Sequence, residues 1–397
     1  MVDFQSLDQH FSAKTYARTP VVFVKGRGAR LWDEQGRNYI DFGSGIGVMS
    51  LGYAHPEWVK AVSAQVASLP HTSNLYYNEK TAQLAAELVS RTGFSRVFLS
   101  NSGAEANECL IKTARKWAHD TKGEGEHPII TLVNSFHGRT ITTVTATGQD
   151  YFHKYFGPFT PGFRYVQAGD LQALELALER EDCAAVLLEV VQGEGGVRAL
   201  DATYLQQVYE LCHKKNVLFC VDEVQTGNGR TGTWFAYEQY GLKPDLVSTA
   251  KGLGNGLPIG ATLLGDRVAD VLTPGSHGST FGGNPVACAG ALVVLNTIDE
   301  VFLSEVRTKS ARLRRKLEQI NGVDDVSGLG LMLGFSVRGA TAAEVRTEAF
   351  HAGLLVLTAK DRVRLLPSLN IDDSTLDEGL ERLSRAVSSA IEKHCAS

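Results

Sequence analysis

The chain has 397 residues, of which 43% are hydrophobic and 21% charged, and its formal net charge at pH 7 is -5. This length and ordinary composition predict a globular protein with a large domain and a smaller one. The small, dispersed net charge argues against a nucleic-acid partner or a basic membrane-binding face, and no uninterrupted apolar run of about 18 residues could span a membrane.

The N-terminal and cysteine patterns bear on location and metal content. The segment MVDFQSLDQHFSAK lacks the basic region followed by an apolar stretch that marks a secretory signal. The six cysteines form no CxxC pair and fall mostly within apolar patterns, which favours buried free thiols over disulfides or a zinc site. We therefore predict a cytoplasmic protein from a reducing compartment, without a metal site.

Residues 1–54 predict an irregular N-terminal arm followed by short strands. The segment VVFVKGRGARLWDEQGRNYIDFGSG alternates apolar and polar residues between glycine-containing turns, which is typical of a hairpin or meander. A helix is predicted from His55 and Pro56 onward, and the loop HTSNLYYN after it carries two adjacent tyrosines, Tyr76 and Tyr77. Such a pair indicates half-buried packing. Contact with a substrate is the alternative.

A predicted strand at residues 97–100 leads into a helix that starts within NSGAEANE. Asn101 or Ser102 can cap this helix, and Ser102 with Glu105 matches a capping box. Gly103 leaves the N–H groups of the first turn sterically open, and the helix dipole favours an anion there, so phosphate binding is one interpretation. The other is an ordinary helix start, which the capping box already explains.

Asp222 and Lys251 are the candidate catalytic pair. Each follows a short apolar run, residues 217–221 and 246–249, and these runs predict two buried strands of one sheet. Open α/β sheets bind ligands at the carboxyl ends of their strands. Glycines at positions 252, 254 and 256 would leave room for a bulky group. The pair suits pyridoxal phosphate, which forms a Schiff base with a lysine and pairs its ring nitrogen with an Asp. Capping or solvated charges are the alternative.

Two further strand ends carry candidate site residues. After the strand in IITLVNSF, Phe136 can stack on a flat cofactor and Arg139 can clamp a carboxylate. His137 has no second metal ligand at helical or hairpin spacing, so we exclude a zinc site. The segment AAVLLEVVQGEGG predicts a buried strand that turns polar at its end, where Glu189 and Glu194 are expected to face the site.

The last third predicts a separate α+β lobe. It contains a basic amphipathic helix at residues 305–320, a single glycine-kinked strand in VSGLGLMLGFSV, short strands in LLVLTA and VRLLP, and a closing helix at about 374–393. Arg364 is the one charge in the apolar run VRLLPSLNI, which indicates an anionic partner.

Six motifs together resemble the class III, fold-type I pyridoxal phosphate aminotransferases. SGAEANE, FHGRT, VVQGEGG, DEVQTGNGRTG, KGLGNGLPIGA and HGSTFGGNP occur in the order and at the spacing of that family. The resemblance covers about residues 23–370 and is closest to acetylornithine aminotransferases, including the segment SNLYYNEKTAQLA.

The resemblance implies an α/β fold with two domains. The large domain would have a mostly parallel central sheet flanked by helices, and a smaller α+β domain would be built from both chain ends. The corresponding division is an N-terminal arm with part of the small domain at residues 1–54, a large cofactor-binding domain at 55–290 and a C-terminal small domain at 291–397.

The resemblance also implies roles for individual residues. Lys251 would bond to the cofactor and shuttle a proton, and Asp222 would pair with the pyridinium nitrogen. The implied cofactor-binding residues are Ser102, Gly103, Ala104, Phe136, Asp222, Glu223, Val224, Gln225, Lys251 and Thr280, the last reaching the cofactor of a neighbouring subunit. The implied substrate-binding residues are Arg139, Ser279, Glu194, Arg364 and Tyr77.

The implied reaction moves the δ-amino group of N2-acetylornithine to 2-oxoglutarate and gives N-acetylglutamate 5-semialdehyde and glutamate, as in arginine biosynthesis. Arg139 would bind the α-carboxylate of acetylornithine. Glu194 would neutralise Arg364 during that half-reaction and release it to bind glutamate in the other. Ile46 stands where ornithine aminotransferases carry a tyrosine, which favours an N-acylated substrate.

The resemblance implies a homodimer with shared active sites. The alternatives within the class are succinylornithine, ornithine or 4-aminobutyrate as amino donor, and a non-catalytic regulator that binds pyridoxal phosphate is a more distant one. A nucleotide-binding Rossmann protein is excluded because no GxGxxG follows a strand and opens a helix.

Overall fold

The computed structural model describes residues 3–396, so residues 1–2 of the predicted arm and residue 397 of the predicted C-terminal domain lie outside the described residues. The helical segments are α1 (Phe4–Phe11), α2 (Ser44–Gly47), α3 (Pro56–Ser68), α4 (Glu79–Thr92), α5 (Gly103–Lys122), α6 (Ile141–Ala146), α7 (Asp150–His153), α8 (Leu171–Ala177), α9 (Ala202–Lys214), α10 (Pro285–Thr297), α11 (Glu300–Glu318), α12 (Ala342–His351) and α13 (Asp373–Ala396). Short 3₁₀ helices lie at Ala236–Tyr240 and Lys251–Leu253.

The strands are β1 (Phe23–Arg27), β2 (Arg30–Asp33), β3 (Asn38–Asp41), β4 (Arg96–Ser100), β5 (Ile129–Leu132), β6 (Phe163–Val166), β7 (Ala185–Leu188), β8 (Val191–Gln192), β9 (Arg198–Ala199), β10 (Leu218–Asp222), β11 (Leu246–Thr249), β12 (Gly260–Leu264), β13 (Val323–Leu329), β14 (Met332–Val337), β15 (Leu354–Leu355), β16 (Leu357–Ala359) and β17 (Arg362–Leu365).

A seven-stranded sheet in the order β4-β12-β11-β10-β7-β5-β6 forms the centre of the molecule. β12 runs antiparallel to both of its neighbours, and the other pairs are parallel. β5, β7, β10 and β11 are buried along their whole length, as expected for parallel strands covered by helices. α5 packs on β11 and β12, and α9 packs on β10. The predicted mostly parallel α/β sheet is confirmed.

Strands from both chain ends share a smaller sheet. β15 pairs in parallel with β3, so that Leu354 lies opposite Ile40 in the sheet β1-β2-β3-β15. A second four-stranded sheet, β13-β14-β17-β16, is antiparallel and carries Arg364. The predicted α+β domain from both ends is therefore confirmed. The domain boundaries at residues 54 and 290 stay predictions, and the second falls within α10.

The predicted irregular arm is wrong in its first part, because residues 4–11 form α1. The Asp3 side chain caps this helix by accepting a hydrogen bond from the Ser6 N–H at 3.0 Å. An Asp followed by apolar residues at helical spacing is itself a helix-start signal. None of the residues of α1 is buried, which leaves its apolar side chains uncovered in the single chain.

The predicted single strand VSGLGLMLGFSV is wrong, because it forms the hairpin β13–β14. The two strands pair antiparallel, with Leu329 opposite Met332. Gly330 in the turn has φ +57°, and a Cβ there would lie 2.4 Å from the carbonyl oxygen of Arg230. Only glycine fits this position. The glycines that suggested kinks thus mark a tight turn.

The structure bears on the expectations for cysteines, metal sites and membrane-spanning segments. Five cysteines are buried and Cys395 is exposed. Within residues 3–396, no group of three or more His, Cys, Asp or Glu side chains is arranged to hold a metal ion. No single helix in the same range has the length and apolar composition to cross a membrane, although α10 and α11, bent by 75° at their junction, meet that criterion as a pair.

Candidate active site

A cavity of about 440 Å³ lies where β10 and β11 end. The predicted site residues that line it are Ser102, Gly103, Ala104, Phe136, Arg139, Asp222, Val224, Gln225 and Lys251. Other residues around it include Val48, Asn101, Asn107, His137, Glu189 and Ile259. Segments far apart in sequence meet here because parallel strands end at the same edge of the sheet.

Asp222 lies at the end of β10 and is 4% exposed. Its Oδ2 accepts a hydrogen bond from Asn107 Nδ2 at 2.7 Å and lies 2.8 Å from Nδ1 of His137. Its Oδ1 accepts a hydrogen bond from the Val224 N–H at 2.9 Å. These partners compensate the burial of the carboxylate and hold it in one orientation.

Asn107 and His137 are site residues that sequence reasoning missed. His137, considered from the sequence only as a zinc ligand, pairs through its ring with Asp222. Asn107 lies on the buried face of α5, next to Ala106 and Leu110. A polar side chain on the apolar face of an amphipathic helix is the sequence signal that could have identified it. Asn107 Nδ2 also donates to the His137 carbonyl at 2.8 Å, so the two residues support each other.

Lys251 lies two residues after the end of β11, on strained backbone with φ +43°, which is uncommon for a residue with a side chain. Burial lowers the pKa of its ammonium group, and the nearby Asp222 carboxylate opposes that shift. A lowered pKa increases the fraction of neutral amine, which is the nucleophilic form. The side chain is thus prepared for covalent and proton-transfer chemistry.

The glycines after Lys251 allow close packing of the chain. A Cβ at Gly252 would lie 2.4 Å from Ser50 Oγ, and a Cβ at Gly254 would lie 2.1 Å from the Leu257 carbonyl oxygen. The predicted role of making room for a bulky group is therefore wrong at these two positions, since neighbouring chain fills the space. Gly256, by contrast, lines the cavity.

Ser102, rather than Asn101, caps α5, and its Oγ accepts a hydrogen bond from the Glu105 N–H at 3.2 Å. The predicted capping box is wrong in its second half, because the Glu105 carboxylate accepts from the N–H of Asn101. The first turn, whose N–H groups have no acceptor within the helix, borders the cavity through Gly103. A Cβ at Gly103 would lie 2.6 Å from a methyl carbon of Val224.

Arg139 lies at the exposed side of the cavity, held by aromatic rings. Its Cζ is 4.2 Å from the ring centroid of Phe152 and 5.6 Å from that of Phe136. The two rings pack at 5.4 Å between centroids, in an edge-on arrangement. These cation–π contacts place a guanidinium next to the ring that faces the cavity.

Glu189 lines the cavity, as predicted, and its carboxylate accepts hydrogen bonds from two backbone N–H groups. Its Oε1 accepts a hydrogen bond from the Phe136 N–H at 2.8 Å, and Oε2 accepts from the Gly193 N–H at 3.3 Å. Burial and then the negative charge of Asp222 raise its pKa well above the ordinary value. Glu189 thereby fixes the backbone that carries Phe136.

The predicted anionic partner of Arg364 is Glu194. Arg364 Nη1 forms an ion pair with the Glu194 carboxylate and donates to Gln225 Oε1 at 3.1 Å. The Arg364 side chain is 4% exposed and that of Glu194 is 26% exposed. The Glu194 carboxylate raises the pKa of Lys251 and the Arg364 guanidinium lowers it, so both charges lie close to the lysine. The pair therefore lies beside the cavity, joined to it through Gln225.

The structure contradicts a cofactor contact by the Glu223 side chain. Its Oε1 accepts a hydrogen bond from the Tyr237 N–H at 3.0 Å, and Oε2 accepts from the Thr226 hydroxyl. Successive side chains of a strand point to opposite faces, so Glu223 turns away when Asp222 faces the cavity. Its buried carboxyl group instead fixes the loop that follows β10.

Tyr77 and Thr280 are exposed and do not line the cavity of the single chain. The half-buried packing predicted for the adjacent tyrosines is wrong, since Tyr76 is 69% exposed and Tyr77 is fully exposed. Ser279 lies at the rim, where its Oγ accepts a hydrogen bond from Asn101 Nδ2 at 3.1 Å. The structure thus places Ser279, but not Thr280 or Tyr77, at the rim of the cavity.

A lysine and a carboxylate at the end of a parallel sheet, with an open helix start beside them, define a class of cofactor-dependent group-transfer enzyme. The family described as aminotransferase class-III matches residues 11–387. The chain belongs to this family.

Two curated relatives and one solved structure show which aminotransferases this chain is similar to. An acetylornithine aminotransferase of Haemophilus ducreyi is 51% identical over 385 residues, covering 97% of this chain and 98% of that protein. A succinylornithine transaminase/acetylornithine aminotransferase of Pseudomonas aeruginosa is 44% identical and covers 96% of both chains. The ornithine aminotransferase of Toxoplasma gondii, with partial occupancy of PLP at its active site, superposes with a TM-score of 0.93 at 36% identity, covering 99% of this chain and 95% of that one.

Family membership makes pyridoxal phosphate the cofactor of this chain. The cavity has the chemistry to hold it. Lys251 offers an amine for the aldehyde, Asp222 a buried carboxylate for the ring nitrogen, and Phe136 an aromatic face. The N-terminus of α5 offers backbone N–H groups and a favourable dipole for the phosphate.

Proposed function

We propose that this protein is a cytoplasmic enzyme of arginine biosynthesis that moves the δ-amino group of N2-acetylornithine to 2-oxoglutarate, giving N-acetylglutamate 5-semialdehyde and glutamate. The observation that carries the proposal is that Lys251 and Asp222 share one cavity, with the Arg364–Glu194 ion pair beside it. Two chemically different amino donors must use this site in turn. The names of the H. ducreyi and P. aeruginosa relatives support acetylornithine as the first donor.

Lys251 holds the cofactor between turnovers and moves the proton during them. Its lowered pKa favours the neutral amine, which can accept the proton from the carbon bearing the transferred nitrogen and return it one step later. Bound pyridoxal phosphate supplies the electron sink for the charge left on that carbon. A positioned proton shuttle contributes roughly 10²–10⁴ in rate.

Asp222 keeps the ring nitrogen of the cofactor protonated. A carboxylate does this only if it stays oriented, and the hydrogen bond from Asn107 and the contact with His137 provide that orientation. Asn107 and His137 are both buried, so water does not compete with them for the carboxylate. We assign them positioning roles.

The phosphate and ring of the cofactor are bound by the residues around Asp222. Ser102, Gly103 and Ala104 would hold the phosphate at the start of α5, and Phe136 would offer its ring as a stacking face. Val224 and Gln225 complete the binding site from the loop after β10. The contribution of Glu223 is limited to fixing this loop.

Arg139 and Arg364 bind the substrates. Arg139, at the exposed side, binds the α-carboxylate of acetylornithine. While that substrate is bound, Glu194 neutralises Arg364, and when it releases Arg364 the guanidinium is free to bind the α-carboxylate of glutamate. The partial exposure of Glu194 and the glycines around it support such a movement.

The active enzyme is a homodimer whose subunits complete each other's sites. The loops at residues 70–78 and 279–284 form one platform, because Asn74 Nδ2 donates to the carbonyls of Ser279 and Gly282 at 2.9 and 3.0 Å. Its apolar residues are largely uncovered: Leu75 is 87% exposed and Phe281 60%. An exposed apolar surface of this kind marks a protein interface, and it would bring Tyr77 and Thr280 to the partner's cavity.

A panel of amino donors tests the proposed substrate. We expect kcat/KM with N-acetylornithine to exceed that with ornithine and 4-aminobutyrate by at least about tenfold, equivalent to about 1.4 kcal/mol. Equal rates with succinylornithine would place the protein with dual-specificity enzymes such as the P. aeruginosa relative. A preference for ornithine or 4-aminobutyrate would show that the substrate proposal is wrong.

A further inference from the structure

A left-handed turn lies between the cavity and the sheet that contains β3. Its four residues, Ser44–Gly47, form α2 and have φ values of +47°, +62°, +65° and +73°. Ser44 and Ile46 are not glycines, and for a β-branched residue this conformation is an outlier. Such strain persists only where the surrounding structure imposes it, and it concentrates at functional sites.

The turn determines where one wall of the cavity stands. The Ile46 side chain is 44% exposed, so its burial does not explain the strain. Val48 follows the turn directly and lines the cavity together with Lys251. The next residues are fixed to the lysine loop, because the Leu51 N–H donates to Asn255 Oδ1 at 2.8 Å. A shift of the turn would therefore move Val48 relative to Lys251.

Asp41 fixes the start of the turn. It lies at the end of β3 and is 4% exposed. Its Oδ1 accepts hydrogen bonds from the N–H groups of Gly43 at 2.7 Å and Ser44 at 2.9 Å. Its Oδ2 accepts the hydroxyl of Tyr53 at 2.7 Å. With these three donors a single buried carboxylate determines the direction in which the chain enters the turn.

Tyr53 is itself held in place. Its backbone exchanges two hydrogen bonds with Gly28, at 2.8 and 2.9 Å. Its ring packs directly on Gly26, where a Cβ would lie 2.7 Å from the ring. The hydroxyl therefore reaches Asp41 from a rigid position, and it holds the carboxylate against the turn.

We propose that Asp41 and Tyr53 are positioning residues for amino-donor specificity, acting through the left-handed turn and Val48. With Val48, residues Leu257 and Ile259 give the cavity an apolar portion. An apolar wall disfavours a donor with an unpaired ammonium group, because burying a charge without a partner costs much free energy. The identity of the donors rests on the proposed function.

The variant Tyr53→Phe tests this role, since it removes the hydroxyl and keeps the ring that packs on Gly26. We expect the ratio of kcat/KM for N-acetylornithine to that for ornithine to fall about tenfold, the effect of losing one hydrogen bond to a charged group. The change should lie in KM, with kcat and the cofactor absorbance of the holoenzyme close to wild type.

Amide hydrogen exchange of the holoenzyme gives a readout that does not depend on turnover. We expect faster exchange at Ser44, Gly47 and Val48 in Tyr53→Phe, because a less constrained turn opens more often. The matched control is Tyr204→Phe, which removes a buried hydroxyl on α9 and should change neither the exchange of the turn nor the donor ratio.

The two readouts separate the possible outcomes. Faster exchange with an unchanged donor ratio would show that Asp41 and Tyr53 contribute to stability alone, and it would overturn the proposal. Unchanged exchange of the turn would overturn the proposal as well. If the wild-type enzyme prefers ornithine, the proposed function fails. The positioning role is then still decided by whether Tyr53→Phe changes the ratio between the acylated and the free donor.

Discussion

Lys251 owes its reactivity to its environment at the end of β11, where burial lowers the pKa of its ammonium group. We predict that Lys251→Ala folds and binds pyridoxal phosphate non-covalently but loses turnover by at least about 10²–10⁴-fold, the contribution of a positioned proton shuttle. The measurement is the multiple-turnover rate with N-acetylornithine and 2-oxoglutarate. Lys60→Ala, whose side chain is 80% exposed, is the control. Wild-type turnover of Lys251→Ala would show that the catalytic assignment is wrong.

The buried carboxyl group of Glu223 leads to a second prediction, which concerns how the free energy of unfolding depends on pH. Burial raises the pKa of its carboxyl group from 4.5 to about 7. The folded protein therefore binds this proton more tightly than the unfolded chain, and the free energy of unfolding falls as pH rises from about 4.5 to about 7, by about 3 kcal/mol for this group. Glu223→Gln stays neutral and keeps an acceptor for the Tyr237 N–H, so it should escape this loss.

Denaturant unfolding between pH 5 and pH 8 measures the effect of Glu223→Gln. We expect the stability difference between variant and wild type to grow in favour of the variant as pH rises through this range. Other groups titrate equally in both proteins and cancel. The exposed Glu318→Gln should run parallel to wild type. A parallel curve for Glu223→Gln as well would contradict the assigned environment.

At the residue scale, the sequence could predict groups whose position follows from the strand pattern. Asp222 and Lys251 end two apolar runs, and the structure places both in one cavity. The partnership of His137 with Asp222 could not be predicted, because it joins a loop residue to a strand end that lies next to it only in the folded sheet. Glu223 was assigned to the cofactor because it belongs to the same sequence motif as Asp222. In a strand, however, the side chains of neighbouring residues point to opposite faces, so a motif alone does not show which of them reach the site.

At the scale of elements, Arg364 on β17 links the small antiparallel sheet to the cavity through Glu194 and Gln225. We predict that Arg364→Ala raises KM for 2-oxoglutarate about 100-fold, the cost of losing one partner of a desolvated charge pair. KM for N-acetylornithine should change far less, because Glu194 no longer needs to neutralise an arginine. Steady-state kinetics with each substrate varied in turn gives both constants. Equal increases in the two KM values would contradict a role specific to glutamate and 2-oxoglutarate.

Elements with strong periodicity were predictable, and those set by tertiary contacts were not. β10 and β11 are short strands buried along their whole length, and Asn284 with Pro285 marks the start of α10. The hairpin β13–β14 was not predicted, because its turn depends on the close approach of Gly330 to Arg230, which glycine spacing alone does not reveal. α1 was not predicted, and none of its residues is buried in the single chain.

At the scale of the whole molecule, the uncovered platform of residues 70–78 and 279–284 predicts a dimer. We expect sedimentation to give twice the chain mass of 43.0 kDa. The double variant Tyr76→Asp with Phe281→Asp should dissociate and lose turnover, because charges in the apolar patch cannot be buried cheaply. Val301→Asp, at a 70%-exposed valine on α11, is the control and should remain dimeric. A fully active monomer would contradict shared active sites.

One site must perform both halves of the proposed amino transfer. The most direct test follows the absorbance of the cofactor in the purified protein as N-acetylornithine is added, and then 2-oxoglutarate. We predict that the band of the lysine-bound cofactor disappears on the first addition and returns on the second. A band that does not respond to N-acetylornithine but responds to another donor would contradict the proposed substrate, and the absence of any cofactor band would contradict the role of Lys251.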